Sequence, residues 1–155
     1  MRPCTGRLPR CGQEGLCGTI AACGALRRAR PDGTAYDRLF PLDGAYSVYA
    51  YTRDVSTDAP ETGTDLQARM FTRRMTEDPA TGSATAAVTA LLAELRGAAE
   101  LRLRVGQGVD MGRPSLLLAR ASRLDGAVTA FVGGRCVAVM EGSLPLAGHD
   151  DVPRH

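Results

Sequence analysis

The stretch from Ser83 to Arg96 (SATAAVTALLAELR) limits the possible folds more than any other part of this sequence. After Ser83 it consists of Ala, Val and Leu except at Thr85, Thr89, Glu94 and Arg96. A helix with so few polar positions must be buried on most of its sides. Gly97 follows at the position where helix C-termini favour glycine. The rest of the chain must therefore supply elements that surround a central helix.

The size and charge of the chain narrow the class of protein. A chain of 155 residues with 44% hydrophobic residues makes one globular domain. It has no membrane-length apolar run and its start lacks the apolar region of a secretory signal, so we expect a cytoplasmic protein with no membrane partner. All basic residues are arginines, and they are interspersed with acidic residues to leave a net charge of +2. We therefore expect no basic patch and no nucleic-acid partner.

The histidines and cysteines exclude several kinds of site. His149 and His155 are the only histidines, and both lie in a polar C-terminal stretch. A buried Ser-His-Asp or Cys-His arrangement is therefore hard to build, and we expect no metal site. The cysteines are odd in number and show no C-x2-C spacing, which predicts reduced thiols with no shared role: Cys4, Cys11, Cys17, Cys23 and Cys136. Acid–base chemistry must then depend mainly on carboxylates.

The chain divides into three parts. Residues 1–14 contain little that is apolar and are expected to stay loose, 15–148 form the single domain, and 149–155 are a polar tail. Before the central helix, the patterns predict strands at Gly15–Cys23, Ala45–Thr52 and Asp65–Phe71, a helix at Ala25–Arg30 and a helical turn at Tyr36–Phe40.

After the central helix the pattern is that of an antiparallel meander. Strands are predicted at Glu100–Val105, Ser115–Arg123, Ala127–Val132 and Arg135–Glu141. Asp125-Gly126 and Gly133-Gly134 are predicted to be two-residue hairpin turns, because these pairs tolerate positive φ. The fold class is therefore α+β, with a mostly antiparallel sheet around the central helix.

The segment leading into the central helix is the strongest candidate site. Pro79 favours an extended backbone at Asp78, and the small residues Ala80 to Ser83 then enter the helix. A helix N-terminus offers unpaired N–H groups, and Gly82 lets a carboxylate-sized anion approach them. Asp78 would lie beside this anion as a proton donor or acceptor. Alternatively, Thr81 or Ser83 is an ordinary N-cap and Asp78 only complements the helix dipole; spacing alone does not decide.

Three motifs in order resemble those of phenazine-biosynthesis isomerases, the PhzF-like proteins. The first is Ala68-Arg69-Met70-Phe71 followed by Glu77-Asp78-Pro79-Ala80-Thr81-Gly82-Ser83-Ala84. The second is the turn Gln107 to Ser115 (QGVDMGRPS), and the third is Val132-Gly133-Gly134. The resemblance is strong from about Ala68 to Gly142. It departs at Thr72 to Met75, where the family usually has Ala-Pro and Gly-Ile, so a different loop is expected there.

The resemblance implies a diaminopimelate-epimerase-like fold, in which two similar halves each wrap a sheet around a central helix and the active site lies between them. This chain resembles the second, C-terminal half. It implies a cofactor-independent, metal-free isomerase or epimerase that moves a proton on a small carboxylate-bearing substrate. Asp78 and Ser83 would be catalytic, and Thr81, Gly82 and Ser83 would bind the substrate. Cys17 and Cys23 do not match the cysteine pair of amino-acid epimerases of this fold.

In the family, the first half supplies a Glu and a Gly-His pair that find no match here, since Leu16-Cys17-Gly18 is followed by Thr19. Glu14, Glu61 and Glu77 are the substitutes on the N-terminal side of the helix. The alternative function is an inactive half that binds an anion or oligomerises. A lone half would expose apolar surface, which predicts self-association. Arg113 is a further candidate for pairing with a carboxylate, although such turn arginines are more often solvated.

Overall fold

The computed structural model describes residues 10–11, 15–41, 44–55 and 63–143. Side chains are described from Cys17 onward. The predicted tail 149–155 and most of the predicted loose segment 1–14 lie outside the described residues, and so do the candidate acids Glu14 and Glu61. Within the described ranges, no helix combines the length and the apolar character needed to cross a membrane.

Before the long helix, the described elements are two strands, two short helices and three further strands. Strands β1 to β5 are Arg10–Cys11, Gly15–Thr19, Ser47–Thr52, Leu66–Phe71 and Glu77–Asp78, and helices α1 and α2 are Cys23–Arg28 and Gly33–Leu39. Helix α3 is Gly82–Leu95. Strands β6, β7 and β8 follow at Glu100–Gln107, Ser115–Leu124 and Ala127–Gly133, with a 3-10 turn at Val109–Met111.

The described strands form one mixed, curled sheet in the order β1-β2-β3-β4-β6-β7-β8, with β5 paired beside β4. Strands β6, β7 and β8 form the predicted antiparallel meander. Two neighbouring pairs are parallel, namely β2 with β3 and β4 with β6. The chain crosses from β2 to β3 through α1 and α2, and from β4 to β6 through β5 and α3. Because β3 and β4 are antiparallel, the two pairs of parallel strands run in opposite directions. Right-handed crossovers therefore place α1 and α3 on opposite faces of the sheet.

The core follows from these two crossovers. Helix α3 packs on β6, β7 and β8 and also contacts β1 and β2. Its buried residues Val88 and Leu92 meet Tyr49, Met70 and other inward side chains of the sheet. Helix α1 covers the opposite face, where Leu26 packs against Ala50 and Phe71. Every side chain of β4 is buried as a result, since both of its faces are covered.

Helix α3 lies within one residue of its predicted bounds at each end. Two of its predicted polar positions, Thr85 and Thr89, are fully buried. Each threonine hydroxyl donates back to the carbonyl one turn earlier, over 2.9 Å and 2.7 Å, which satisfies it without water. Leu95, predicted among the apolar positions, is 73% exposed. The helix is therefore buried along one face and half-buried elsewhere, apart from the exposed residues Ser83, Glu94 and Leu95.

The last predicted strand is wrong. Asp125 and Gly126 have the predicted positive φ angles, 51° and 81°, and form the hairpin between β7 and β8. Gly133 and Gly134 do not form a second hairpin: β8 ends at Gly133, and residues 134–143 form neither a helix nor a strand. A pair of glycines permits a turn but does not require one.

The cysteine prediction is also wrong in one respect. Cys17, which is buried in the core, is disulfide-bonded. Cys23, at the start of α1, and the exposed Cys136 carry reduced thiols.

Candidate functional site

The predicted site is held together by the buried side chain of Gln107. Its Nε2 donates to the carbonyl oxygen of Asp78 over 2.7 Å and to the hydroxyl of Thr81 over 2.9 Å. Its Oε1 accepts the backbone N–H of Thr81 at 3.2 Å. Gln107 is 0% exposed, so these bonds form away from competing water. The end of β6 is thereby fixed to the segment that enters α3.

A close backbone contact brings the second motif against the first. Gly108 has a φ of 76° and lies against Pro79. A Cβ at this position would be 2.2 Å from the carbonyl oxygen of Arg113 and 2.9 Å from that of Pro79. Glycine is therefore required at 108 both for its conformation and for lack of space.

The carboxylate of Asp78 has a fixed orientation. Its Oδ1 accepts the N–H of Ala80 at 3.2 Å, and its Oδ2 accepts the hydroxyl of Thr81 at 2.7 Å. The side chain is half-buried. Thr81 is the N-cap residue of α3, yet its hydroxyl makes no capping bond because Asp78 and Gln107 both use it. Thr81 therefore has the predicted N-cap position but lacks the ordinary side-chain capping bond.

The first turn of α3 has the properties of an anion site. The N–H groups of Gly82 and Ser83 have no hydrogen-bond partner among the described residues. The first turn contains no acidic residue, and the N–H groups at a helix N-terminus attract anions. Ala80 and Gly82 lie on the wall of a cleft of about 640 Å³ that is also lined by Pro114, Ser115, Val132 and Gly133. The third motif thus meets the first across this cleft.

A second chain of hydrogen bonds runs from the N-cap into the core. The hydroxyl of Thr85 donates to the carbonyl oxygen of Thr81, so Tyr49 Oη donates to Thr85 Oγ1 over 2.8 Å. Burial raises the pKa of Tyr49 to about 12, with the Thr85 bond lowering it and the charge of Asp78 raising it. Tyr49 is therefore a neutral hydrogen-bond donor that fixes the first turn of α3.

The first motif contains an arginine whose role the sequence did not indicate. Arg69 is buried and forms a two-point ion pair with Glu77, with Nε–Oε1 at 2.9 Å and Nη2–Oε2 at 2.7 Å. Its Nη1 donates to three carbonyl oxygens at the end of α1: Leu26 at 2.9 Å, Arg27 at 3.2 Å and Ala29 at 3.0 Å. The hydrogen bond and charge of Glu77 raise the pKa of Arg69.

The same arginine reaches the second motif through Asp110. Asp110 Oδ2 is 3.8 Å from Arg69 Nε, and its Oδ1 is 3.5 Å from Arg27 Nε. The 3-10 turn, α1 and β4 are therefore joined by charge. The only signal in the sequence was the position of Arg69, Glu77 and Asp110 within the quoted motifs.

The structure places the remaining predicted residues as follows. Both carboxylate oxygens of Glu77 accept hydrogen bonds from Arg69, which weighs against the prediction that Glu77 substitutes for the family's missing glutamate. Arg113 and Ser83 are exposed.

The turn between β4 and β5 is where the sequence departs from the family pattern, and Met75 in this turn has a φ of 59°. Within the described ranges, no group of three His, Cys, Asp or Glu side chains is placed to hold a metal ion.

Two solved structures of similar fold place this arrangement among known proteins. One is the phenazine biosynthesis protein of the PhzF family from Bacillus anthracis, with 17% identity and a TM-score of 0.65 over 77% of this chain and 42% of that chain. The other is the PhzF-family phenazine biosynthesis protein from Enterococcus faecalis, with 21% identity and a TM-score of 0.51 over 78% of this chain and 42% of that chain.

This chain therefore spans about two fifths of the length of these proteins (42% of each). No curated protein matches it significantly. The family model of phenazine biosynthesis-like proteins matches residues 11–142, which include all three motifs. On that match, the chain belongs to the PhzC-PhzF family of phenazine biosynthesis-like proteins.

Proposed function

We propose that this protein is a PhzF-like isomerase or epimerase that transfers a proton on a small carboxylate-bearing substrate without a cofactor. The observation that carries the proposal is the fixed carboxylate of Asp78 near the start of α3, where the N–H groups of Gly82 and Ser83 have no partner among the described residues. Membership of the family supports the same reading. We infer in addition that the chain corresponds to the second half of the family's fold, with the sheet wrapped around α3.

The substrate carboxylate binds at the first turn of α3. The N–H groups of Gly82 and Ser83 donate to it, the hydroxyl of Ser83 adds a third donor, and the helix dipole favours the negative charge. The neighbouring cleft of about 640 Å³ has room for a small ring or an amino-acid side chain. Gly82 lines this cleft together with Val132, and a Cβ at Gly82 would be in ordinary contact with Val132, at 3.9 Å.

Asp78 orients the substrate or relays its proton. Its bonds to Ala80 and Thr81 hold one orientation of the carboxylate before any substrate arrives, and such preorganisation is what general acid–base catalysis requires. Thr81 contributes by positioning Asp78. A reaction that removes a proton from one face of the substrate and returns it to another face also needs an acid–base group opposite Asp78. We propose that it comes from the part of the family's fold that supplies the Glu and Gly-His pair.

The experiment that tests this function is solvent-deuterium incorporation into a panel of small cyclic and amino-acid carboxylates. Asp78→Asn keeps the size of the side chain but removes the proton acceptor, so exchange should disappear. Asp125→Asn is the matched control, because Asp125 lies in the exposed β7–β8 turn, where Asn also tolerates positive φ. Exchange in the wild type and control but not in Asp78→Asn is the expected result.

Nitrogen-15 NMR with the same compounds separates binding from turnover. Carboxylates should shift the amide signals of Gly82 and Ser83. Shifted amides without exchange in a folded sample would favour the alternative, an anion-binding half without catalysis. No exchange and no shift would refute both functions.

A cytoplasmic location stays a prediction, and the disulfide at Cys17 weighs against it because disulfides are rare in the cytosol.

A further inference from the structure

The chain that follows β8 presents an uncovered apolar segment. Residues 134–143 have no helix or strand and are exposed at every position. Val137, Val139 and Met140 are 82%, 90% and 91% exposed. Three large apolar side chains this exposed within four residues form a surface that proteins normally cover. The pattern of Arg135–Glu141 is that of a strand, but the structure gives it no strand partner within the described ranges.

We propose that Arg135–Glu141 pairs with the same segment of a second copy of this chain, as antiparallel strands about a two-fold axis through Ala138. In such a pair the residue numbers of opposed positions have a constant sum. Ala138 then faces its own copy, Val137 faces Val139 of the second copy, and Cys136 faces Met140 of the second copy. The contact is isologous, so each of the off-axis pairs occurs twice.

The charges of the segment select the second copy and this register. Arg135 and Glu141 are the only charged residues between β8 and Gly142, and they have opposite signs. The register centred on Ala138 places Arg135 opposite Glu141 of the second copy at both ends. A shift of the axis by one residue to either side removes both ion pairs, because each charge then faces an uncharged residue. Opposite charges directly across a strand pair stabilise it, and like charges destabilise it.

The pairing also explains why charged and apolar side chains share one face of the segment. Side chains alternate along a strand, so Arg135, Val137, Val139 and Glu141 share one face. On that face the two valine pairs would be covered between two ion pairs. The segment contains no proline and no lysine, the residues that commonly prevent unwanted pairing of strand edges.

The mass of the full chain in solution tests the proposal, by sedimentation velocity over a range of concentrations. The wild type should form a dimer. Arg135→Glu and Glu141→Arg each create two like-charge pairs and should raise the dissociation constant about tenfold or more. The double variant Arg135→Glu/Glu141→Arg restores both opposite-charge pairs and should restore the dimer. Arg53→Glu, a charge reversal at an exposed position away from the segment, should leave the dimer unchanged.

Disulfide cross-linking tests the register independently. Directly opposed Cα atoms in antiparallel strands are about 4.5 to 5.5 Å apart, which a disulfide can span. In a Cys136→Ser background, Ala138→Cys should therefore cross-link two copies under mild oxidation. Val137→Cys is the matched control, because its own copy lies diagonally at about 7 to 8 Å and should cross-link poorly. Equal cross-linking of the two variants would overturn the register.

A monomeric wild type would overturn the proposal, and trypsin would then identify the true cover. Rapid cleavage after Arg135 in that monomer would mean that the segment is open in the free protein, where a different partner could reach it. Resistance to cleavage would mean that the same chain covers it. A dimer that survives Arg135→Glu unchanged would also refute the proposal. These readouts measure mass and cleavage, so they are independent of the isomerase activity.

Discussion

The guanidinium of Arg69 and the carboxylate of Glu77 face each other through two parallel hydrogen bonds, at 2.9 Å and 2.7 Å, on neighbouring strands. Both side chains are largely removed from solvent, with 7% and 13% of their surface exposed. Geometry of this kind gives the strongest protein ion pairs. The pair therefore holds β5, and with it the segment that begins at Asp78, against β4.

Removing one partner of this pair should destabilise the fold strongly. Glu77→Gln removes the hydrogen-bonded partner of the buried Arg69 cation and leaves it only the more distant Asp110, at 3.8 Å; breaking a buried ion pair in this way costs about 3 to 5 kcal/mol. Glu100→Gln is the matched control, since Glu100 pairs with Arg102 and Arg120 on the exposed surface and should contribute little. Urea unfolding measures both variants. Equal losses in the two would contradict the structural role of the pair.

Two glycines in the second motif should respond differently to alanine. Gly112 has a φ of 74°, and a Cβ at this position would have open space around it. Gly112→Ala should therefore cost only the backbone strain, about 1 kcal/mol. Gly108→Ala adds a collision with the Arg113 and Pro79 carbonyls and should cost at least about twice as much. Thermal unfolding by circular dichroism compares them. A Gly108→Ala protein as stable as Gly112→Ala would show that the turn moves away from Pro79 at little cost.

Stability at high pH should depend on Tyr49. Its pKa is about 12 in the fold, against 10.0 as the ordinary value. Between these values the unfolded chain loses the proton that the folded protein keeps, so the free energy of unfolding falls as pH rises, by roughly 2 kcal/mol at pH 12. Below pH 10 the contribution is constant. Tyr49→Phe should therefore lose part of this decline, and urea unfolding at a series of pH values measures it.

Gln107 should matter to both stability and binding. Gln107→Leu leaves the N–H of Thr81 without its partner, which should cost about 1 to 3 kcal/mol. It should also weaken carboxylate binding at Gly82 and Ser83, because the segment before them is no longer fixed. Gln67→Leu is the control, since Gln67 is buried but its hydrogen bond to Thr64 is long, at 3.5 Å. Carboxylate titrations by NMR should separate the two variants.

Local patterns in the sequence predicted some elements closely. Helix α3 and the Asp125-Gly126 hairpin were correct because an apolar helix with a terminal glycine, and a turn with two positive φ angles, are decided within a few residues. Helix α1 begins two residues earlier than predicted. The carboxylate of Asp54 accepts the N–H of Cys23 at 3.0 Å, and this stabilises the earlier start from 31 positions away.

The parts that failed depend on partners distant in the sequence. A strand pattern at Arg135–Glu141 predicts a strand but cannot supply a neighbour for it. At the site, the string from Asp78 to Ser83 was found, but the bonds that fix it come from Gln107, which is 26 residues from Thr81. Arg69 likewise reaches the carbonyl of Ala29 across 40 positions. Only the fold brings these groups together.

The attachment of α1 to Arg69 has a consequence for how the protein opens. Helix α1 has six residues, and isolated helices shorter than about 12 residues are marginal in water. Its terminal carbonyls are held by a guanidinium that itself depends on Glu77. The helix should therefore open together with β4 and β5 as one cooperative unit. In native-state hydrogen exchange, the amides of Leu26 and Phe71 should share one opening free energy, and Glu77→Gln should lower both together.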